Sequence, residues 1–222
     1  MDKLEVVKIG GNVIENRIAL LGFLKDFAAL KGPKILIHGG GKEASQMSKI
    51  LGNKIQFIEG RRITDAQTLE IITMIYAGKL NKTIVAQLQA LDCNSLGLSG
   101  ADGNSILAEK RPSKPIDFGF VGDLSEVNRS LFDLLLKEGI CPVCCALSHD
   151  GKGQLLNVNA DTIASTLAAA LSHNYDVQLS YCFEKNGVLK NLNDDTSIIP
   201  KMNEVEYNNL KSEGIILSLI HI

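Results

Sequence analysis

The chain has 222 residues and a mass of 24.0 kDa, and its 23 basic and 25 acidic side chains give a net charge of −2. This length suits one α/β domain, and a hydrophobic content of 45% is ample for its core. The balanced charge does not favour a nucleic-acid or membrane partner. Any site for an anion must therefore be built locally, from a few well-placed groups.

The cysteines lack the spacing of a zinc site, since they form no CxxC pair and have no matching histidines. They are Cys93, Cys141, Cys144, Cys145 and Cys182. Their odd number, and an amino terminus without a secretory leader, predict reduced thiols in a cytoplasmic protein. We expect them to serve mainly as small buried hydrophobic side chains, with Cys144 and Cys145 on opposite faces of a strand. No apolar run is long enough to span a bilayer.

Strand-like and helix-like segments alternate along the chain. Short apolar runs predict strands at Leu4–Val7, Ile35–Ile37, Ser95–Leu98, Cys141–Leu147, Gln154–Val158 and Val177–Phe183. Helical periodicity is present at Arg17–Leu30, Glu43–Leu51, Ala66–Leu91 with Gly78 as the candidate break, Leu124–Glu138 and Asp161–Leu171. The more polar Ser105–Phe120 contains two prolines and is predicted to be a hairpin or loop.

This alternation predicts an α/β fold, a three-layer αβα sandwich whose central sheet is largely parallel. No repeat, low-complexity tract or linker divides the sequence, so residues 1–222 are expected to form a single domain. Ligands of such folds bind beyond the carboxyl ends of the strands. The residues that follow each predicted strand are therefore the first candidates for a functional site.

The first such cluster is Lys8-Ile9-Gly10-Gly11. Glycines at a strand exit allow the backbone to bend sharply and to approach a ligand closely, and exposed N–H groups there attract anions. Lys8 alone could be a solvated lysine, but the adjacent glycines favour a phosphate site that uses its charge. The patterns GxxxxGK[ST] and GxGxxG are absent, so a nicotinamide enzyme has little support.

The second cluster is His38-Gly39-Gly40-Gly41, after the second predicted strand. Three consecutive glycines lose considerable entropy when they become ordered, so a function at the ligand is favoured over a merely flexible turn. His38 would lie at the strand end and partly under the loop, which favours a structural role over a catalytic one. Two anion-binding turns on one sheet predict an enzyme that holds two negatively charged substrates together.

Polar groups later in the chain complete the candidate site. Arg61 and Arg62 could grip a carboxylate through two hydrogen bonds, although for either one a surface ion pair is an equal possibility. Asn157 and Asn159 share a strand face by alternation, so at least one should face the site. Asp161 could also be the N-cap of the helix that it precedes.

Several motifs match one family in order and in spread: Lys8-Ile9-Gly10-Gly11, His38-Gly39-Gly40-Gly41, Gly60-Arg61-Arg62-Ile63-Thr64, Asn81-Lys82, Gly100-Ala101-Asp102-Gly103 and the segment from Gly153 to Asp161. Together they resemble the amino acid kinase family, and within it the members that act on N-acylated glutamate. The resemblance implies the amino acid kinase fold, with ATP and Mg²⁺ phosphorylating the γ-carboxylate of N-acetylglutamate, or another N-acylglutamate, in arginine biosynthesis.

The resemblance also implies roles for individual residues. Lys8 would stabilise charge on the transferred phosphoryl group, and Gly10 and Gly11 would contact phosphate. Asp161 would orient lysines without acting as a base. The substrate-binding residues would be Gly39, Gly40, Gly41, Arg62, Asn157 and Asn159, with Arg62 on the α-carboxylate. No protein-held metal is expected, and the family implies a homodimer with a small-molecule substrate.

Two segments depart from the family pattern. Leu179-Ser180-Tyr181-Cys182-Phe183-Glu184 replaces a Leu-Ser-Asp type segment on the nucleotide side, so adenine contacts cannot be transferred. The ending Leu217-Ser218-Leu219-Ile220-His221-Ile222 stops before the family's second catalytic lysine, which predicts an incomplete nucleotide lobe with impaired activity and stability.

The chain enters its first strand almost at once, without the extra helix of arginine-inhibited members, so no inhibition by arginine is expected.

Other functions remain open at this stage. One is a sister kinase of the same fold that acts on glutamate, aspartate, carbamate or UMP. Another is a catalytically impaired module that binds N-acylglutamate without turning it over. The acyl group is also open, because a succinyl substrate would need only a roomier pocket than an acetyl one.

Overall fold

Five parallel strands form the central sheet of the computed structural model, in the order β11-β1-β2-β8-β5. They are β1 (Lys3–Ile9), β2 (Lys34–His38), β5 (Ser95–Leu98), β8 (Cys141–Cys145) and β11 (Asp176–Cys182). The structure describes residues 1–58, 61–185, 187–191, 193–194 and 196–213. The predicted parallel sheet is therefore confirmed, with each strand within a few residues of its expected position.

The core lies on both faces of this sheet. Ile35, Leu36 and Ile37 of β2 are all fully buried, although successive side chains of a strand point to opposite faces. Helices therefore cover both faces, as in the expected three-layer sandwich. The helix α7 (Ala160–Leu171) packs on β1, β2 and β11, α5 (Asn81–Gln89) packs on β5 and β8, and α6 (Arg129–Lys137) packs on β8.

Further helices connect the strands: α1 (Gly11–Glu15), α2 (Arg17–Ala29), α3 (Gly41–Ile50) and α4 (Ala66–Ile72). The helix α8 (Glu204–Ser212) follows β11. Thr73–Leu80 joins α4 to α5 as a stretch of π-helix, so the expected break at Gly78 is instead a local widening of one long helical rod. None of the helices that the structure describes is both long and apolar enough to cross a membrane.

A second, four-stranded sheet was not predicted. Its order is β10-β9-β6-β7, formed by β6 (Ile106–Lys110), β7 (Gly122–Val127), β9 (Leu147–His149) and β10 (Leu155–Asn157). The strands are antiparallel except for β6 and β9. A short antiparallel pair, β3 (Phe57–Ile58) and β4 (Arg61–Arg62), completes the strands.

This second sheet corrects two predictions. The helix expected at Leu124–Glu138 begins only at Arg129, because Gly122–Val127 pairs with β6. The strand expected at Cys141–Leu147 ends at Cys145, and Leu147–His149 joins the second sheet. All residues from Cys141 to Ser148 are buried, so no alternation of apolar and polar residues marks the division between the two strands.

The chain divides into two compact units, Met1–Cys182 and Phe183–Ile222. The first contains both sheets and all the candidate site residues. Of the second, the structure describes α8 and an isolated antiparallel bridge between Leu189 and Ile198. The unusual ending Leu217–Ile222 lies outside the described residues, and the single domain over 1–222 stays a prediction.

Candidate active site

Both glycine clusters lie at the same edge of the central sheet. β1 and β2 are parallel neighbours with Ile9 opposite His38, so the two strands end side by side. Gly10 and Gly11 follow β1 and begin α1, while Gly39 and Gly40 lead from β2 into α3. The carboxyl edge of the sheet thus holds two strand-to-helix turns next to each other, as the sequence predicted.

Lys8 and Asp161 form an ion pair at this edge. The Lys8 Nζ and Asp161 Oδ1 atoms are 2.7 Å apart, and their side chains are 17% and 7% exposed. Lys8 is in β1, and Asp161 is in the first turn of α7, which packs against that strand. A carboxylate is favourable in a first helical turn, and here it fixes the direction of the lysine. The arrangement presents a positioned positive charge beside the glycine turns.

The N-cap of α7 is Asn159, which corrects the alternative that Asp161 caps this helix. The Asn159 Oδ1 atom accepts hydrogen bonds from the backbone N–H groups of Asp161 and Thr162, at 2.7 and 3.0 Å. The cap satisfies two amides that the first turn would otherwise leave unpaired. It also fixes the backbone of Asp161, and through it the ion pair with Lys8. A direct contact between Asn159 and substrate stays a prediction.

The two glycine turns differ in whether the surrounding side chains leave space for a Cβ atom. A Cβ on Gly40 would lie 2.5 Å from Leu80 Cδ1 and 2.7 Å from Tyr76 Cδ1, so the packing of these side chains excludes any larger residue. A Cβ on Gly11 would meet nothing within 4 Å. Packing therefore explains why Gly40 must be a glycine. At Gly11 no protein atom blocks the approach of a ligand to the backbone.

The backbone N–H of Gly10 is already used within the fold. It donates to the carbonyl of Cys182 at 2.7 Å, next to the pairing of β1 with β11. A phosphate contact at Gly10 would therefore involve a close approach to its Cα and not its amide. The predicted phosphate contacts of Gly10 and Gly11 stay predictions.

Arg62 is a buried cation with neutral partners. Its Nη2 donates to the carbonyl of Gly41 at 2.8 Å and to Ser45 Oγ at 2.6 Å, and its guanidinium lies 4.7 Å from the ring centre of Phe57. The residue is 7% exposed, and no acidic side chain within the described ranges forms an ion pair with it. Burial lowers the pKa of Arg62 from its ordinary value. A buried guanidinium without a counter-ion suits a carboxylate ligand.

Asn157 is joined to the Arg62 segment through Thr64. The Asn157 Nδ2 atom donates to Thr64 Oγ1 at 3.0 Å, and Thr64 is fully buried. The short segment Phe118–Phe120 lies between the two: the Thr64 amide donates to the Phe118 carbonyl, the Phe120 amide to the Thr64 carbonyl, and the Asn157 amide to the Phe120 carbonyl. The structure therefore brings Asn157 and Arg62 to one region, as the sequence predicted.

His38 has the structural role that the sequence favoured. It is fully buried, its Nδ1 donates to the Gly39 carbonyl at 2.8 Å, and its Nε2 accepts from Asn81 Nδ2 at 3.1 Å. Burial lowers its pKa from 6.5 to about 4, so the imidazole is neutral at pH 7. The ring thus holds the start of the glycine turn.

Sequence reasoning missed Asn81 as a supporting residue. Its Nδ2 donates to His38 and to the Val143 carbonyl at 2.9 Å, while its Oδ1 accepts from Lys82 Nζ at 3.2 Å. A Cβ on Gly97 would lie 1.9 Å from Asn81 Oδ1, so that glycine makes room for the amide. The motif Asn81-Lys82 was visible in the sequence, but only the fold brings it to β2. Ser45 and Thr64, which hold Arg62 and Asn157, were likewise not singled out.

Comparison with known proteins supports one family. A model of the amino acid kinase family matches residues 3–220. The acetylglutamate kinase of Cytophaga hutchinsonii is 54% identical over 217 residues, which cover 97% of this chain and 82% of that protein. The acetylglutamate kinases of Bacteroides thetaiotaomicron and Methanopyrus kandleri are 50% and 36% identical, with 84% of each covered.

Solved structures agree in fold at low sequence identity. The structure of smu.665 from Streptococcus mutans has a TM-score of 0.79 and 20% identity, covering 96% of this chain and 84% of that one. Aspartokinase III of E. coli, in complex with aspartate and ADP, has a TM-score of 0.59 and 11% identity, covering 84% of this chain and 50% of that one. At such identities the likeness concerns the fold alone.

Proposed function

Because the chain belongs to the amino acid kinase family and its activity is that of an acetylglutamate kinase in arginine biosynthesis, we propose that the two glycine turns align ATP with the γ-carboxylate of N-acetylglutamate. The observation on which this assignment depends is the Lys8–Asp161 pair beside those turns. A lysine held in place at the edge where both strands end could stabilise the negative charge of a transferred phosphoryl group.

The chemistry needs alignment and charge neutralisation more than it needs a base. The γ-carboxylate of a glutamate derivative has an ordinary pKa near about 4.3, so at pH 7 it is already an ionised nucleophile. Its approach to the terminal phosphate of ATP brings two anions together. Lys8 would offset the charge on the equatorial phosphoryl oxygens, and Asp161 would hold the lysine in direction.

The other end of the substrate would be held by Arg62 and Asn157. The guanidinium of Arg62 would bind the α-carboxylate. None of the acidic side chains in the described residues forms an ion pair with Arg62, so this carboxylate would be its counter-ion. Asn157, oriented by Thr64, would hydrogen-bond the substrate, and Gly39, Gly40 and Gly41 would lie near the reacting carboxylate. Substrate length between these groups then decides which carboxylate reaches the phosphate.

Mg²⁺ fits this site as a companion of ATP. Within the described ranges no three acidic, histidine or cysteine side chains group to hold a metal, and Asp161 is engaged by Lys8. The oxygens of the nucleotide phosphates would therefore supply its ligands, and the ion would neutralise phosphate charge.

A homodimer and a cytoplasmic location are also proposed, on the family resemblance alone.

Replacement of Lys8 by alanine tests the assignment. We expect kcat to fall about 10²- to 10³-fold, because a group aimed at charge that develops in the transition state is lost. Acyl phosphate trapped with hydroxylamine measures the rate, and Lys25→Ala, on the exposed surface of α2, is the matched control. An unchanged kcat in a folded Lys8→Ala protein would exclude the proposed role.

Arg62→Lys tests the substrate end. It keeps a positive charge but loses the planar fork, so we expect KM for N-acetylglutamate to rise about 10- to 100-fold with a smaller change in KM for ATP. The neighbouring Arg61→Lys is the control. The same assay with N-succinylglutamate would identify the preferred acyl group. Equal effects of both arginine variants would contradict the assignment to Arg62.

A further inference from the structure

A cavity of about 380 Å³ lies at the amino edge of the central sheet, opposite the edge that holds Lys8. Its lining includes Lys34 and Cys141, the first residues of β2 and β8, and Cys93 just before β5. The helix-to-strand turns around it contain left-handed backbone at Gly32, Asp92 and Gly139. None of the residues proposed for phosphoryl transfer lines it.

Two thiols meet in this cavity. The backbone amide of Cys141 donates to the Asn94 carbonyl at 2.8 Å, and that of Cys93 donates to the Leu88 carbonyl at 3.0 Å. Asn94 directly follows Cys93, so these hydrogen bonds fix the two cysteines next to each other, and the Cys141 Sγ atom donates to the Pro142 carbonyl at 3.8 Å. Both residues line the cavity and yet are only 7% and 5% exposed.

The environment makes the two thiols unequal. The neighbouring Cys141 thiol lowers the pKa of Cys93, against the effect of burial, and the ammonium of Lys34 lowers it further. The interaction with Cys93 and deeper burial raise the pKa of Cys141. Lys34 is held in place by the carbonyls of Ala28 and Leu30, at 2.8 and 2.7 Å. Cys93 therefore has the character of a nucleophilic thiolate, with a protonated thiol beside it.

The other cysteines lack this combination. Cys144 and Cys145 lie inside the sheet, where burial raises the pKa of both. Cys182 is half-buried, and burial raises its pKa as well. Among the five thiols, Cys93 is therefore expected to react first with oxidants and alkylating reagents.

We propose that Cys93 and Cys141 are a redox-sensitive dithiol, a modification site that hydrogen peroxide converts to an intramolecular disulfide. The Cys93 thiolate attacks one peroxide oxygen and the O–O bond breaks; with one proton this gives Cys93 sulfenic acid and water. The Cys141 sulfur then attacks the Cys93 sulfur, and the sulfenic oxygen leaves as a second water with the Cys141 proton. Overall, two thiols are oxidised and one peroxide is reduced to two waters.

The test uses the full chain, reduced, freed of reductant and exposed to hydrogen peroxide. Non-reducing peptide mapping by mass spectrometry should find a Cys93–Cys141 link and a loss of two free thiols. Cys141→Ser should stop the reaction at the sulfenic acid, trapped by dimedone on Cys93. Cys182→Ser is the matched control and should form the link at the wild-type rate.

Alkylation gives a second measurement that needs no variant. Iodoacetamide should label Cys93 at least tenfold faster than Cys182 at pH 7, since its thiolate fraction is larger. Labelling of Cys182 before Cys93, or peroxide treatment that leaves Cys93 and Cys141 unlinked in the folded wild-type chain, would overturn the proposal. Neither result depends on kinase activity.

Discussion

The neutral imidazole of His38 makes stability depend on pH. Its pKa is lowered to about 4 in the folded chain, against about 6.5 when unfolded, so the unfolded state binds a proton first as pH falls. Its contribution is therefore fully present above pH 6.5, is lost between pH 6.5 and about 4, and does not change further below. The full loss is about 3 kcal/mol.

Urea unfolding at pH 7 and at pH 4.5 measures this loss. His38→Gln removes the titrating group, so it should lose roughly 2 kcal/mol less between the two values than the wild type. His173→Gln changes an exposed histidine and should follow the wild type. Identical pH dependence of the wild type and His38→Gln would mean that His38 is not buried in its neutral form.

The two glycine turns are distinguished by alanine substitution. Gly40→Ala forces a Cβ against Tyr76 and Leu80, so we expect a loss of about 1–3 kcal/mol in the free energy of unfolding. Gly11→Ala meets no protein atom within 4 Å and should keep stability within about 0.5 kcal/mol, while kcat/KM for ATP falls about tenfold or more. Chemical denaturation and steady-state kinetics give both numbers.

Gly22 supplies the control for that pair. It lies on the exposed side of α2, where a Cβ also meets nothing within 4 Å, so Gly22→Ala should gain about 0.5–1 kcal/mol without a change in kinetics. Full activity of Gly11→Ala would show that no ligand approaches that backbone closely.

At the level of elements, α7 positions the Lys8–Asp161 ion pair through its cap. Asn159→Ala should cost about 1 kcal/mol of stability and lower kcat, because the backbone of Asp161 is no longer fixed. Asn159→Ser keeps a cap. If Asn159 also contacts substrate, Asn159→Ser should raise KM for N-acetylglutamate at near-normal stability.

Asn128 offers a matched cap elsewhere in the fold. Its side chain accepts from the Leu131 amide at the start of α6, away from the Lys8–Asp161 pair. Asn128→Ala should therefore lose similar stability with unchanged kcat and KM. A loss of kcat in Asn128→Ala as large as in Asn159→Ala would mean that general destabilisation explains both.

Sequence patterns predicted the elements whose partners are local or whose period is clear. Helical spacing predicted one apolar face in α2, formed by Leu20, Leu21, Leu24, Phe27 and Leu30. Leu20, Leu24 and Phe27 are buried against the core, whereas Leu21 and Leu30 are exposed. The glycine turns also followed from the sequence alone, since a strand, glycines and a helix occur in direct succession.

Long-range pairing decided the elements that were mispredicted. Leu124, Val127 and Leu131 have helical spacing, yet the first two lie in β7 because β6 supplies its pairing partner. Asn128 then begins α6. The bridge from Asn81 to His38 was hidden for the same reason, because 43 residues separate the two side chains.

For the whole molecule, the order of the central sheet predicts where the fold is most stable. β2 lies in the middle of five strands and is hydrogen-bonded on both sides, with four fully buried side chains. Its amides should exchange with solvent only through global unfolding, whereas β7, at the edge of the second sheet, should exchange faster. Native-state hydrogen exchange followed by mass spectrometry tests this, and equal protection of β2 and β7 would contradict it.

The segment Phe118–Phe120 sets the spacing between the parts of the chain that contain Arg62 and Asn157. Its backbone separates the strand that ends at Asn157 from Thr64, which lies two residues after Arg62, with hydrogen bonds of 2.7 to 2.9 Å on either side. Gly119 within it is left-handed, and a Cβ there would lie 2.2 Å from the Thr64 carbonyl oxygen. The segment therefore acts as a spacer of fixed width, and a change in that width would move Asn157 relative to Arg62 while the Lys8–Asp161 pair is left untouched.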